Sequence, residues 1–83
     1  MEKLDEVLGS VRYELDRALK MHGDFNSCHE GFAVLLEEVD ELWEEVKKKS
    51  SQRDPGKMKE ESIQIAAMAV KFALFVNKDV KSL

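Results

Sequence analysis

The middle of the chain, residues 30–45, carries seven acidic side chains and no Lys or Arg. These are Glu30, Glu37, Glu38, Asp40, Glu41, Glu44 and Glu45. Like charges one helical turn apart repel by about 0.2–0.5 kcal/mol a pair, and a helix built only for solubility usually alternates the two signs of charge. The concentration of one sign therefore favours a site for a cation, with a solvated acidic face as the alternative.

The spacing of these carboxylates suits a hard metal ion. On a helix, Glu38 and Glu41 lie on one face, with Glu37 one turn before Glu41. Glu61 and Gln64 repeat the three-residue spacing in a later apolar segment. Mg²⁺ takes oxygen ligands and commonly keeps waters and phosphates in its coordination shell, and metal sites in helical bundles are often built from two facing helices. We therefore predict a Mg²⁺ site, with Mn²⁺ possible, formed by these residues.

A di-iron carboxylate site is the other metal site to consider. That chemistry needs a Glu-x-x-His pattern on facing helices. Neither His22 nor His29 stands three residues after a Glu, and both lie in or beside a loop segment. The sequence therefore favours Mg²⁺ or Mn²⁺ over iron.

Three amphipathic segments must position these residues. Apolar residues recur every three or four positions, and no segment alternates as a strand would. We predict an all-α fold with helices over about 2–21, 28–49 and 55–78. With 83 residues, the chain is expected to form one domain, residues 1–83.

Turn and capping residues set the predicted boundaries. Gly23 is expected to stop the first helix, and Ser27 with Glu30 has the spacing of a capping box before the second. Asp54 followed by Pro55 is typical of an N-cap and the first residue of a helix.

The third segment is apolar on nearly every side, apart from a narrow polar stripe that includes Gln64 and Lys71. Such a helix must be covered on nearly every side, which two partner helices in so short a chain cannot do. We therefore predict a homo-dimer or homo-tetramer, in which third helices pack together through the small residues Ala66, Ala67, Ala69 and Ala73.

Composition excludes several classes of protein. The single Cys28 allows no disulfide within the chain and no thiolate zinc site, and it fits a reducing compartment. The net charge of -4 argues against a nucleic-acid binder. No apolar run reaches the roughly 18 residues of a membrane span, and the N-terminus has no signal-like pattern. The expected protein is cytoplasmic, with no membrane or nucleic-acid partner.

The motifs resemble those of a known family. Residues 37–41 have the form EExxE, and the segment 61–64 occupies the place of a following ExxD. Together with the upstream stretch HGDFNSCHEGF, residues 22–32, this pairing resembles the MazG-like all-α nucleoside triphosphate pyrophosphohydrolases. The resemblance covers about residues 15–76. It implies Mg²⁺-dependent cleavage of a (deoxy)nucleoside triphosphate to the monophosphate and pyrophosphate.

The resemblance also implies roles for particular residues. Glu38, Glu41 and Glu61 would be metal ligands, and Glu37 would be a further ligand or the base that activates water. Glu37 and Glu38 are thus the candidate catalytic residues. Gln64 stands where the family pattern has Asp, and an amide oxygen is a poorer Mg²⁺ ligand than a carboxylate. Gln64 would then hold the metal less tightly or contact the substrate, or the chain would bind nucleotides without hydrolysing them.

Three further residues are candidates for substrate binding. Lys71 could neutralise phosphate charge, with a solvated lysine as the alternative. Asn26 and His29, near the positive end of the second helix, could contact a base or phosphate. Phe25 and Trp43 are interpreted as core aromatics, with stacking on a base as the alternative.

Two other functions remain open at this point. One is a helical bundle that binds nucleotide or metal without catalysis. The other is a purely structural helical oligomer or adaptor.

Overall fold

The fold consists of three helices and one short turn. The computed structural model describes the backbone of residues 2–82 and the side chains of residues 2–77. No strand occurs in that part of the chain, so the predicted all-α class is confirmed. The elements are α1 (Glu2–His22), α2 (Cys28–Val46), a 3-10 turn (Ser50–Gln52) and α3 (Pro55–Ser82).

The predicted boundary between α1 and α2 is confirmed. Gly23 adopts the left-handed φ of 67°, and its N–H donates to the carbonyl of Leu19 at 2.9 Å. This is the usual way in which glycine ends a helix. The hydroxyl of Ser27 accepts the N–H of Glu30 at 3.0 Å. The Glu30 carboxylate reaches back to the N–H of Asn26 at 2.9 Å, one residue before the cap.

The start of α3 also matches the prediction. The Asp54 carboxylate accepts the N–H of Lys57 at 3.2 Å, which makes Asp54 the N-cap and Pro55 the first helical residue. The helix continues to Ser82, beyond the predicted end at residue 78. No Gly or Pro follows residue 78 to stop it.

The predicted end of α2 at Lys49 is wrong, because the helix ends at Val46. The N–H of Lys48 bonds to the carbonyl of Glu45, three residues back, which tightens the last turn. Arg53 then donates to the free carbonyl of Val46 at 2.8 Å. Arg53, from the following loop, thus donates to the carbonyl of Val46, which would accept an intrahelical hydrogen bond if α2 continued further.

Helix α3 is the central element of the fold. It packs against both α1 and α2, whereas no described Cα of α1 lies within 8 Å of a Cα of α2. The buried core lies along α3 and consists of Leu15, Phe25, Ala67 and Met68. The resulting molecule is flat, 50 × 30 × 20 Å, with an open cleft between α1 and α2.

An aromatic cluster packs the loop before α2 against α3. The rings of Phe25, Phe72 and Phe75 lie with centroids 6.2–6.4 Å apart, at tilted or edge-on angles that favour aromatic contact. Gly31 on α2 faces this cluster. A Cβ atom at Gly31 would lie 2.6 Å from Cδ1 of Phe72 and 3.0 Å from Cδ2 of Phe25. The close approach of the two helices therefore depends on the missing side chain.

We expect Gly31→Ala to lower the free energy of unfolding by about 1–3 kcal/mol, because the added methyl group overpacks the aromatic cluster. The matched control is Gly9→Ala on α1, where nothing lies within 4 Å of the added Cβ. There, the better helix propensity of alanine should raise stability by about 0.5–1 kcal/mol. Urea denaturation followed by circular dichroism measures both changes. Equal effects at the two positions would contradict this account of the helix contact.

The apolar face of α2 is only partly buried. Leu35 and Val34 pack against the core, whereas four large residues one turn apart stay exposed on the adjoining side. We call these the α2 apolar stripe: Phe32, Leu36, Val39 and Trp43. Trp43, expected in the core, is 56% exposed, whereas Phe25 is buried as expected. The surface of α3 away from the core is also apolar, with Val70 and Leu74 exposed.

None of the described helices is long and apolar enough to cross a membrane.

Candidate functional site

The cleft between α1 and α2 has a volume of about 990 Å³. Its floor is α3, and all three helices contribute polar side chains to it. Those used below are Glu14 and Arg17 from α1, Glu38 and Glu41 from α2, and Glu61 and Gln64 from α3. The predicted metal-binding residues therefore line one cavity.

Three carboxylates converge in this cleft, and we call them the carboxylate cluster: Glu38, Glu41 and Glu61. One oxygen from each lies within 4.8 Å of the others. Glu38 and Glu41 face the same way because they are one turn apart on α2, and the packing of α3 against α2 brings Glu61 to them. Glu38 and Glu61 are half-buried, and Glu41 is exposed.

Burial and the neighbouring carboxylates disfavour the ionised forms of Glu38 and Glu61. Burial raises the pKa of Glu38 to about 7, and the charges and hydrogen bonds of Glu41 and Glu61 add to the shift. Burial, with a hydrogen bond and the charge of Glu41, also raises the pKa of Glu61. The Oε2 atom of Glu61 is buried and has no hydrogen-bond partner among the described residues. Without a cation, a proton shared between Glu38 and Glu61 lowers this repulsion.

The donor set fits a hard divalent cation. Buried charges are normally paired or coordinate a metal, and the partnerless oxygen of Glu61 is a ligand position of that kind. Glu38, Glu41 and Glu61 are the residues that could hold Mg²⁺ or Mn²⁺, with carboxylate oxygens as both ions prefer.

Gln64 lies beside the cluster and is oriented by α1. A hydrogen bond from the Gln64 side chain is the main cause that lowers the pKa of Glu14. Arg17 also binds Glu14, with Nε and Nη2 at 3.2 and 3.1 Å from Oε2. Because the amide nitrogen of Gln64 serves as the donor, its carbonyl oxygen is left for another partner.

Glu14 and Arg17 were not predicted as site residues. The signal that could have found them is their three-residue spacing next to Leu15 and Ala18, which face the core. Polar residues at the border of an apolar face can turn toward a neighbouring helix.

A second cavity of about 550 Å³ adjoins the cleft near the loop between α1 and α2. Glu38 and Gln64 line both cavities, so the two spaces share a wall. Lys71 and Asn26, two of the predicted substrate-binding residues, line this second cavity. Lys71 is only 4% exposed, so the alternative of a solvated lysine is wrong. Its Nζ lies 4.3 Å from the centroid of the Phe25 ring.

Two predicted residues lie apart from these cavities. Glu37 and His29 are exposed, and neither is among the residues that line the cleft or the second cavity. The structure therefore brings together Glu38, Glu41, Glu61 and Gln64, but not Glu37 and His29.

The C-terminal part of the acidic helix has a structural role. Glu45 is 2% exposed and accepts the N–H of Asp54 at 2.8 Å and the Nζ of Lys48 at 3.0 Å. The hydrogen bond from Asp54 is the main cause that lowers the pKa of Glu45. Glu44 pairs with Lys47 at 2.8 Å. Glu45 thus secures the connection to α3, whereas Glu38 and Glu41 face the cleft.

The pKa of Glu38 leads to a pH prediction. A raised pKa means that the folded protein binds this proton more tightly than the unfolded chain. Without metal, this contribution to stability is complete below about pH 4.5 and is lost as the pH rises through about 7. A divalent cation needs the ionised carboxylate.

We therefore expect millimolar Mg²⁺ to raise the melting temperature more at about pH 8 than at about pH 6. Differential scanning fluorimetry with and without Mg²⁺ at each pH measures the shift in melting temperature. Because the two melting temperatures are compared at the same pH, the titration of distant groups does not contribute to that shift. A Mg²⁺ effect independent of pH would contradict the assignment of Glu38 as a ligand.

Comparison with protein-family models, with curated proteins and with solved structures finds no match to this chain in any of the three. The functional argument therefore depends on the site itself.

Proposed function

We propose that this protein is a Mg²⁺-dependent pyrophosphohydrolase that converts a (deoxy)nucleoside triphosphate to the monophosphate and pyrophosphate. The observation that carries the proposal is the carboxylate cluster at the wall of the cleft, with its partnerless Glu61 oxygen. The resemblance of the EExxE segment and of residues 61–64 to the MazG-like enzymes supports the same reaction.

In this proposal, Glu38, Glu41 and Glu61 hold the cation, and Gln64, which lines the same cleft, is a candidate weaker ligand. Mg²⁺ would neutralise phosphate charge and polarise the phosphoryl oxygens, which is most of what phosphoryl transfer requires. Lys71, Asn26 and His29 are the candidate contacts to the nucleotide.

The base that takes the proton of the attacking water is one of two carboxylates. Glu38 faces the cleft, next to Glu41 and Glu61. Glu37 lies on the exposed side of α2, outside both cavities. The geometry thus favours Glu38 as the base over Glu37.

The test is a panel of common and modified ribo- and deoxyribonucleoside triphosphates, incubated with the purified protein with and without Mg²⁺. We expect release of pyrophosphate from at least one nucleotide, only with the metal. The control is the double variant Glu38→Gln/Glu41→Gln. Turnover no higher than that of the control across the whole panel would refute the enzymatic proposal.

A bundle that binds metal and nucleotide without catalysis is the second candidate, and Gln64 favours it. Its amide adds no negative charge to the cluster, and its hydrogen bond to Glu14 uses the amide nitrogen. In that case Mg²⁺ and nucleotide raise the melting temperature without turnover. Gln64→Asp, assayed with the same panel, would then gain activity.

The chain is proposed to act as a homo-dimer or homo-tetramer in the cytoplasm. The α2 apolar stripe leaves Phe32 at 59% and Trp43 at 56% exposure, and contiguous exposed apolar side chains often mark an interaction surface. The same surface supports the third candidate, a structural oligomer or adaptor. For that role neither Mg²⁺ nor nucleotide would change the melting temperature.

A further inference from the structure

Lys71 is a buried cation without an ionic partner among the described residues. It is 4% exposed, and the contact assigned to its Nζ is the face of the Phe25 ring at 4.3 Å. The Glu30 carboxylate is near enough for Lys71 to contribute to its lowered pKa, after the larger effect of two hydrogen bonds from Asn26. Glu30 nevertheless forms no ion pair with it. Lys71 lines the second cavity without an ion pair, so its ammonium group is a donor that a ligand bound there could use.

The walls of this cavity suit a flat heterocycle. Met21, Met68 and Phe25 provide an apolar lining, and Met68 and Phe25 are themselves buried. Asn26 donates through Nδ2 to Glu30 at 3.0 Å, which fixes the orientation of its amide and leaves Oδ1 as an acceptor. The cavity thus offers one donor at Lys71, one acceptor at Asn26, and an apolar lining. Small-molecule sites commonly combine these features.

Charge decides against a phosphate in the second cavity. Four carboxylates from the loop and helices line it, Glu14, Asp24, Glu30 and Glu38, against the two cations Arg17 and Lys71. Arg17 is already bound to Glu14 at 3.1 Å. An anion would add charge of the sign that is in excess, whereas a neutral carbonyl oxygen can accept from Lys71 without that repulsion.

We propose that the second cavity binds a nucleobase that carries a ring carbonyl, with Lys71 Nζ donating to the carbonyl oxygen and Asn26 Oδ1 accepting from a base N–H. Cytosine, uracil, thymine and guanine have such a carbonyl, and adenine has none. The inference rests on the proposed function, because it assigns the base of the same nucleotide whose phosphates would meet the carboxylate cluster. Glu38 and Gln64, in the wall shared by the two cavities, lie between these positions.

The test uses uncharged nucleosides without metal, so that it does not depend on turnover or on Mg²⁺ binding. Inosine and adenosine are a matched pair, since inosine has a C6 carbonyl and an N1–H where adenosine has a C6 amino group and an unprotonated N1, and uridine and cytidine extend the series. Titrations are followed by the backbone amide NMR signals of the second cavity, at Phe25, Asn26 and Met68. We expect inosine, uridine and cytidine to shift these signals with affinities at least about tenfold above that of adenosine, because one hydrogen bond to a charged donor is lost.

Variants assign the effect to the lysine. Lys71→Met should lower the affinity for inosine about tenfold and leave the weak affinity for adenosine unchanged. Lys59→Met is the control, since Lys59 is exposed on the same helix and lines neither cavity. If Lys71→Met does not fold, Lys71→Gln and the titrations of the unaltered protein still decide.

Three outcomes would overturn the inference. These are equal binding of inosine and adenosine, no shift of the cavity signals with any nucleoside, and binding of inorganic pyrophosphate at Lys71 without Mg²⁺. Failure of the proposed function has a different signature, because the triphosphate panel would show no turnover while the carbonyl-bearing nucleosides still bind.

Discussion

Glu61→Gln is expected to reduce pyrophosphate release by more than about 100-fold while raising the stability of the metal-free protein. Loss of even an outer-shell partner costs about 10–100-fold in activity or metal affinity, so loss of a direct ligand should cost more. The opposite signs of the two effects make the variant informative. A residue retained only for the fold would lower stability when it is replaced.

The gain in stability follows from the arrangement of the cluster. Burial and the neighbouring Glu41 raise the pKa of Glu61, so its ionised form is unfavourable in the folded, metal-free protein. Glutamine keeps the shape and removes the charge. Its amide can also donate to Glu38 or Glu41, whose oxygens lie within 4.8 Å in the present structure. Functional sites commonly cost stability in this way.

Both effects are measured on one sample. Thermal melts with and without Mg²⁺ give the change in stability, and pyrophosphate release at saturating nucleotide gives the change in activity. The control is Asp40→Asn, an exposed carboxylate on α2 that lines neither cavity. It should leave activity, stability and the Mg²⁺ response close to those of the unaltered protein. A Glu61→Gln variant that melts lower without metal, or that keeps its Mg²⁺ response, would contradict the cluster as a metal site.

Features encoded by neighbouring residues were predictable from the sequence. The caps at Ser27 and Asp54 and the stop at Gly23 depend on contacts within four residues, and all three are confirmed. The orientation of Glu38 toward another helix follows from its place at the edge of the apolar face. The three-residue spacing of Glu61 and Gln64 predicted that they share one face of α3, and both line the cleft.

Features that depend on long-range packing were not predictable. The early end of α2 depends on Arg53, which reaches back to the carbonyl of Val46. The burial of Lys71 depends on the loop residue Phe25 folding over α3. The hydrogen bond between Glu14 and Gln64 requires α1 to pack against α3, and no local sequence pattern predicts that contact.

The packing also divides α3 into two functional sides. Its polar residues Gln64 and Lys71 face the cavities, whereas Val70 and Leu74 are exposed on the surface away from them. A helix with an apolar outer surface is usually covered by another chain. The α2 apolar stripe adds larger side chains to this exposed apolar surface. We therefore expect the strongest contacts between two copies of the chain to lie at the stripe.

The double variant Phe32→Ala/Trp43→Ala is therefore expected to convert an oligomer into a monomer of 9.5 kDa. Aromatic residues at the centre of an interface each contribute about 2 kcal/mol or more to binding. Two of them together correspond to roughly a thousandfold weaker association. Both side chains are largely exposed within one chain, so the helical fold should remain.

Sedimentation velocity over a range of concentrations measures the mass, and circular dichroism checks the fold. Tyr13→Ala is the matched control, because Tyr13 is an aromatic residue of 66% exposure that lines the cleft, away from the α2 apolar stripe. It should leave the mass unchanged. A protein that is monomeric before any substitution, or a double variant that keeps its mass, would show that this stripe does not hold two copies together. Loss of pyrophosphate release on dissociation, with the carboxylate cluster intact, would further show that the active site needs the assembly.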